Sequence, residues 1–205
     1  MHFINIINKN YLIVFIFLSI ILHLISSYYS VGFYSDDEHF QILEISAYLL
    51  GINEIAINDP TGYYWEWEEN TRMRPWFQPF IFYKIINVLI LLGLNDPFIW
   101  VFILRFISSI LGFVSILYLF FTFKDHFFKQ NKIFNYFLFF TFWFYPFLHS
   151  RTSSENLSIS LFLISFCILF QILIDKKIKY NFFIFVIASF LMGISMVAKF
   201  TTVFH

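Results

Sequence analysis

The chain has 205 residues, of which 60% are hydrophobic, 24% aromatic and only 13% charged, whereas a soluble domain carries roughly 25% charged residues. That much apolar surface cannot be buried in a core of this size, so the composition excludes an ordinary water-soluble protein and makes lipid the solvent. Thirteen basic and thirteen acidic residues give zero formal net charge, and with no basic tract to neutralise phosphates no nucleic-acid partner is expected.

A spanning helix needs about 20 mostly apolar residues, because hydrocarbon offers no partner to an unpaired backbone group. Five segments are predicted to cross: about Tyr11 to Ser27, Phe98 to Phe123, Ile133 to His149, Leu157 to Ile174, and Phe182 to the end (182–205). The first run lacks a small-x-small cleavage site and is followed by further spans, so it reads as a retained signal anchor. A sixth segment, Phe80 to Leu94, is shorter and carries Lys84 and Asn87.

Parity decides that sixth segment. Short loops rich in Lys and Arg stay cytoplasmic, and the clusters here are Lys9, then Lys124, Lys129 and Lys132, then Lys176, Lys177 and Lys179. All three fall on one side only if Phe80 to Leu94 does not cross. It is therefore expected to be an amphipathic or re-entrant helix at the outer surface. The N-terminus is then cytoplasmic, with a long outer loop from about Ser30 to Asp96 (30–96) and a short outer turn from Ser150 to Asn156.

Ten of the 13 acidic residues lie between Asp36 and Asp96. A connection of over sixty residues exceeds the about 2–8 typical of helical bundles and points to function. Ser35 followed by Glu38 matches a capping box, which predicts a helix from here to Leu50, with Gly51 as its stop. Helical spacing puts Asp37, Gln41, Glu44 and Tyr48 on one face and Phe40, Leu43, Ala47 and Leu50 on the face that lies on membrane or bundle. Asp36, Asp37 and Glu38 have two readings. They complement the helix dipole, or they supply a general base with an electrostatic partner, since crowded carboxylates favour proton uptake.

Further on stand Trp65-Glu66-Trp67, then Arg72, Arg74 and Trp76. Rings beside carboxylates suit sugars, whose C–H faces stack on aromatics while hydroxyls bond to acids; an interfacial aromatic belt is the alternative. Arginines at this depth suit a lipid phosphate, with snorkelling as the plainer reading. Arg105 lies about two turns into an apolar span, where a charge marks a functional site by default. Arg151 opens the polar run Arg151-Thr152-Ser153-Ser154-Glu155-Asn156; a basic residue on the outer side asks for a partner, and Asp37, Glu38 or a ligand phosphate are the candidates. Lys199 is expected to snorkel. His23 and His149 have no paired ligands at useful spacing and Cys167 lies alone in an apolar run, so no metal, cofactor or disulfide is expected.

The run Asp37-Glu38-His39-Phe40-Gln41, then Glu44, Trp65-Glu66-Trp67, Arg74 and Arg151-Thr152 resembles the Alg9-like α-mannosyltransferases of glycosyltransferase family 22. That family reads roughly His-Pro-Asp-Glu, Phe/Trp-Gln and a Glu, Thr-Trp-Glu-Trp, Ile-Arg-Ser, and later Arg-Thr. The departures are Ser35-Asp36 for His-Pro, Tyr64 for Thr, Met73-Arg74-Pro75 for Ile-Arg-Ser, and Glu155 where Asn is commoner nearby. The resemblance implies an all-α integral membrane fold of GT-C type, with juxtamembrane helices in the first outer loop, and residues 1–205 as the N-terminal part of one such domain. It also implies a hexosyltransferase that moves a sugar, mannose by family, from a polyprenyl- or dolichyl-phosphate donor to a lipid-linked glycan acceptor. The active site would face the non-cytoplasmic side of a bacterial inner membrane or the endoplasmic reticulum.

The implied catalytic residues are Asp37, Glu38 and Asp36. Gln41, Glu44, Trp65, Glu66, Trp67, Arg74, Arg105 and Arg151 would bind substrate, with Arg105 at the outer end of the second span as in related enzymes. The family is longer than this chain, so a fragment is expected. A transporter with Arg105 and Lys199 on its path, or a non-catalytic membrane scaffold, are the competing classes.

Overall fold

A computed structural model describes residues 2–30, 32, 37–52, 76–125, 131–174 and 182–199; the side chains of 2–10, 37, 40 and 41 lie outside that description. Among the described residues the chain is helical without strands. The helices are α1 (His2–Tyr29), α2 (Glu44–Leu49), α3 (Phe77–Leu91), α4 (Pro97–Phe123), α5 (Lys132–Tyr136), α6 (Phe144–His149), α7 (Ser154–Ile174) and α8 (Phe182–Ala198). Two π-helical stretches, Asp37–Leu43 and Phe137–Thr141, lead into α2 and follow α5.

Burial is inverted relative to a soluble bundle. Among the described side chains of α1, Ser19, His23 and Ser27 are buried, while Ile13, Val14 and Phe17 are exposed. On α7 Ser158, Ser160 and Ser165 are buried, with Leu173 and Ile174 outside. Water would not leave Ile and Phe outward and Ser inward; lipid does, because tails solvate apolar side chains while polar groups seek one another between helices. Accordingly Ser158 and Ser165 of α7 donate to the Ser195 and Ala188 carbonyls of α8 at 2.6 and 2.7 Å. Tyr118 of α4 donates to Gln171 Oε1 of α7 at 2.8 Å, and Gln171 Nε2 donates to Thr122 Oγ1 at 3.0 Å.

Three of the five expected spans coincide with long apolar helices, with adjusted ends. Tyr11–Tyr29, Pro97–Phe123 and Ser154–Ile174 are long and apolar enough to cross a membrane, whereas Phe182–Ala198 and Phe77–Leu91 are shorter apolar helices. The segment expected to span from Ile133 to His149 is not one helix. It breaks at Phe142, whose backbone is extended at φ −63° and ψ 120°. The cause is Pro146, which lacks an N–H and whose ring would meet the carbonyl of residue 142 in a continuous helix.

The helix expected before Gly51 is present and stops there. Gly51 adopts φ +71°, its N–H reaches Tyr48 O at 2.9 Å, and Ile52 N reaches Ala47 O at 3.1 Å, a Schellman ending. Its expected Ser35 cap lies outside the described residues. Its buried face differs from the expected one: Glu38, Ile42, Ile45 and Ser46 are buried, while Leu43, Ala47 and Leu50 are half-buried. These four stand at i, i+4, i+7 and i+8, an α-helical stripe displaced from the expected one, and Leu43 and Leu50 pack partly buried beside it. Ile42 then joins Phe82, Ile86 and Leu104 in a cluster that seats α2 and α3 on α4. α4 begins at Asp96, whose side chain accepts from Phe98 N at 2.9 Å, with Pro97 as its first residue.

Candidate active site

The residues between α6 and α7 are buried, not a solvated turn. Ser150, Arg151, Thr152 and Ser153 have exposures of 0%, 6%, 0% and 9%. A buried non-helical strap is tolerable only if its backbone groups are paired, and side chains from three directions supply the partners. Asn156 Nδ2 donates to His149 O and Arg151 O, both at 2.8 Å, and its N–H reaches Ser153 Oγ at 3.3 Å, which caps α7. Gln78 Nε2 of α3 donates to Thr152 O at 2.8 Å. Glu38 takes two further donors of the strap: Thr152 N and Thr152 Oγ1 both donate to its Oε1 at 2.9 Å.

Glu38 is fully buried, and its Oε2 lies 3.9 Å from Arg151 Nη1. Of the partners expected for Arg151, the structure thus supplies Glu38. The same guanidinium stacks over the Phe147 ring at 4.5 Å and approaches Gly32 O at 3.3 Å. Arg105 meets that carbonyl from the other side, through Nη2 at 2.6 Å, and its Nη1 donates to Ser30 O. Two arginines and one carboxylate therefore converge on the chain entering the π-helical stretch. Among the described residues the buried Nε atoms of both arginines have no hydrogen-bond partner.

Arg105 also lines a cavity of ≈ 420 Å³ between the π-helical stretch, α2 and α4. His39 and Glu44 share its polar end, with His39 Nε2 3.6 Å from Glu44 Oε1, and Leu43, Leu50 and Trp100 form part of the apolar wall. A second cavity of ≈ 390 Å³ lies against α4, α6 and α7 and is edged by Arg151, His149, Glu155 and Asn156. Lys199, expected to snorkel, instead pairs with Glu155, which ties the end of α8 to the start of α7.

Glu38, Glu44, Arg105 and Arg151 are thus brought to one region. Asp37 and Gln41 are placed by their backbone, in the π-helical stretch on either side of Glu38. Asp36, Trp65, Glu66, Trp67 and Arg74 lie outside the described residues.

Sequence reasoning missed Gln78, Gly32, Asn156 and the His23–His149 pair. His23 donates from Nδ1 to Ser19 O at 2.8 Å, and its Nε2 lies 3.0 Å from His149 Nδ1. Gln78 carried a signal, as an amide among apolar residues in an apolar helix, where a polar group needs a protein partner; Asn156 was hidden at the end of a polar run. Gly32, whose φ is +72°, carried only the general preference of left-handed backbone for glycine.

The described residues form a helical bundle with three helices long and apolar enough to cross a membrane, and it gathers a buried carboxylate and two arginines beside an amphipathic cavity. The sequence pattern of the Alg9-like mannosyltransferase family matches residues 13–204, nearly the whole chain, and the protein belongs to that family. It is accordingly a membrane glycosyltransferase. No curated protein and no solved structure matches the chain.

Proposed function

We propose that the protein transfers a mannosyl group from a polyprenyl-phosphate donor to a hydroxyl of a lipid-linked glycan, with inversion at the anomeric carbon. Asp37 accepts the proton of the acceptor hydroxyl as its oxygen attacks that carbon. The bond from the anomeric carbon to the phosphate oxygen breaks, and its electron pair leaves on the phosphate. Positioned cations stabilise the charge that develops there. Arg105 is the first candidate, because it stands at the polar end of an apolar-walled cavity next to the Asp37 segment; Arg74 and Arg151 are the others.

The observation that carries this reading is the anchoring of Glu38. A carboxylate held by Thr152 and facing Arg151 orients the segment, leaving its neighbours Asp37 and Asp36 for proton transfer. Gln41, Glu44, Trp65, Glu66 and Trp67 are assigned to the sugars and the acceptor. The site belongs to the first outer loop, residues 30–96, on the non-cytoplasmic side of a GT-C-type bundle whose N-terminal part is residues 1–205.

Radiolabelled mannose transfer from a polyprenyl-phosphate donor, measured in membranes carrying the protein, tests the assignment. Asp37→Asn is expected to abolish transfer while leaving membrane insertion intact. Near-normal turnover would sink the role of Asp37. Transfer from a nucleotide sugar but not from the lipid donor would sink the donor class.

A further inference from the structure

Glu38, Thr152 and Gln78 form a continuous hydrogen-bonded staple. It begins on α3, where Gln78 Nε2 donates to Thr152 O at 2.8 Å, and ends on the π-helical stretch, where Thr152 N and Oγ1 both donate to Glu38 Oε1 at 2.9 Å. All three side chains are buried, at 0%, 0% and 3% exposure for Glu38, Thr152 and Gln78. Three elements far apart in sequence therefore meet through one threonine: the catalytic-loop helix, the strap after α6, and α3.

From this geometry we infer that Thr152 and Gln78 are positioning residues for the transfer reaction: they fix Glu38, and through the adjoining peptide they set where Asp37 stands. The inference rests on the proposed role of Asp37.

Several features make the staple more than packing. Thr152 grips a single carboxylate oxygen with two donors, so both distance and direction are fixed; a lone hydroxyl contact would leave the carboxylate free to rotate. The β-branch of threonine restricts χ1, so its hydroxyl points without searching. Gln78 keeps its donor on Thr152 even though its own Oε1 is buried without a hydrogen-bond partner among the described residues, an arrangement that sacrifices an acceptor to hold the strap. A second link runs beside it, where Ser46 Oγ lies 2.6 Å from Ile42 O and 3.2 Å from Pro79 O. The Asp37 segment is thereby held against α3 at both its start and its end. Misplacing a reacting group by about 1 Å can cost on the order of 100-fold in rate, so an anchor one residue from the base acts on turnover.

The test compares Thr152→Val, Thr152→Ser and Gln78→Leu with the unaltered protein in its own membrane. The readouts are kcat and KM for a polyprenyl-phosphate mannose donor, normalised to the amount of inserted protein. Thr152→Val removes one donor at nearly constant shape and is expected to lower kcat by about 100-fold with KM nearly unchanged, the signature of misplacement without lost binding. Thr152→Ser keeps the hydroxyl and is expected to restore most of the turnover. Gln78→Leu leaves both Thr152 donors on Glu38 and is expected to lower kcat by about tenfold; it decides the matter if Thr152→Val lowers the amount of folded protein. Normal turnover per inserted molecule in Gln78→Leu, or in a Thr152→Val protein that inserts, or a raised KM with kcat unchanged, overturns the inference. Its failure is separable from that of the proposed function: an inactive Asp37→Asn beside a fully active Gln78→Leu keeps the base and removes the staple.

Discussion

The imidazole of His149 occupies the space that a side chain on Gly112 would need. A Cβ at position 112 would stand 2.6 Å from His149 Cδ2 and 2.7 Å from its Cβ. This contact lets α6 lie directly on the backbone of α4, where His149 reaches His23 and the strap begins one residue later. Gly112→Ala is therefore expected to overpack the site and to cost about 1–3 kcal/mol, read as a lower thermal midpoint of the detergent-extracted protein. Adding His149→Gly removes both the ring and the Cβ that obstruct position 112, so the double variant should lose less than the two single effects combined. Additive losses would mean that the two residues do not meet.

Glu38 accounts for two donors of Thr152 and faces Arg151. Glu38→Ala leaves the guanidinium of Arg151 buried without its carboxylate, and breaking a buried pair in this way costs about 3–5 kcal/mol. Arg151→Met should cost less, because the ion pair is long at 3.9 Å and Glu38 retains both Thr152 donors. Protein levels in membranes and thermal aggregation midpoints should rank in that order.

Gly32 has φ +72°, a left-handed backbone that costs a residue with a Cβ about 1–2 kcal/mol. Its carbonyl also receives both arginines. Gly32→Val is expected to reduce transfer activity strongly. Gly32→Asn should be milder, because asparagine tolerates the left-handed region. Equal activity of the two variants would remove the backbone argument.

Arg105 donates from its two Nη atoms to two different carbonyls, Ser30 O and Gly32 O. Lysine keeps the charge but lacks the planar fork. Arg105→Lys is therefore expected to retain measurable transfer with a lowered kcat, whereas Arg105→Leu should lose it. A titration of donor concentration in membranes separates lost charge from lost shape.

Local features were legible in the chain order. Three of the five spans, the stop at Gly51 and the apolar character of most of the segment Phe80 to Leu94 follow from runs of like residues and from backbone preferences that act over a few positions. Arg105 and Arg151 stood out because charges beside or within apolar runs need partners, Glu38 by its crowding with Asp36 and Asp37, and Glu44 by helical spacing and the family resemblance. In the Asp37–Leu49 region the helical period was legible but not which stripe is most deeply buried, because the packing of Ile42 on Phe82, Ile86 and Leu104 decides that. The break at Phe142 was missed because Pro146 acts on a carbonyl four residues back.

The sequence by itself determined that this protein is built of long apolar helices suited to lipid, where three of them run, and to which family it belongs, since composition, run length and motif order are all properties of neighbouring residues. Only the tertiary structure decided that Thr152 holds Glu38 across a separation of 114 positions, that Gln78 holds Thr152, and that two arginines share one glycine carbonyl. In a lipid-facing bundle polar groups must find one another inside, and which ones meet is set by how the helices pack.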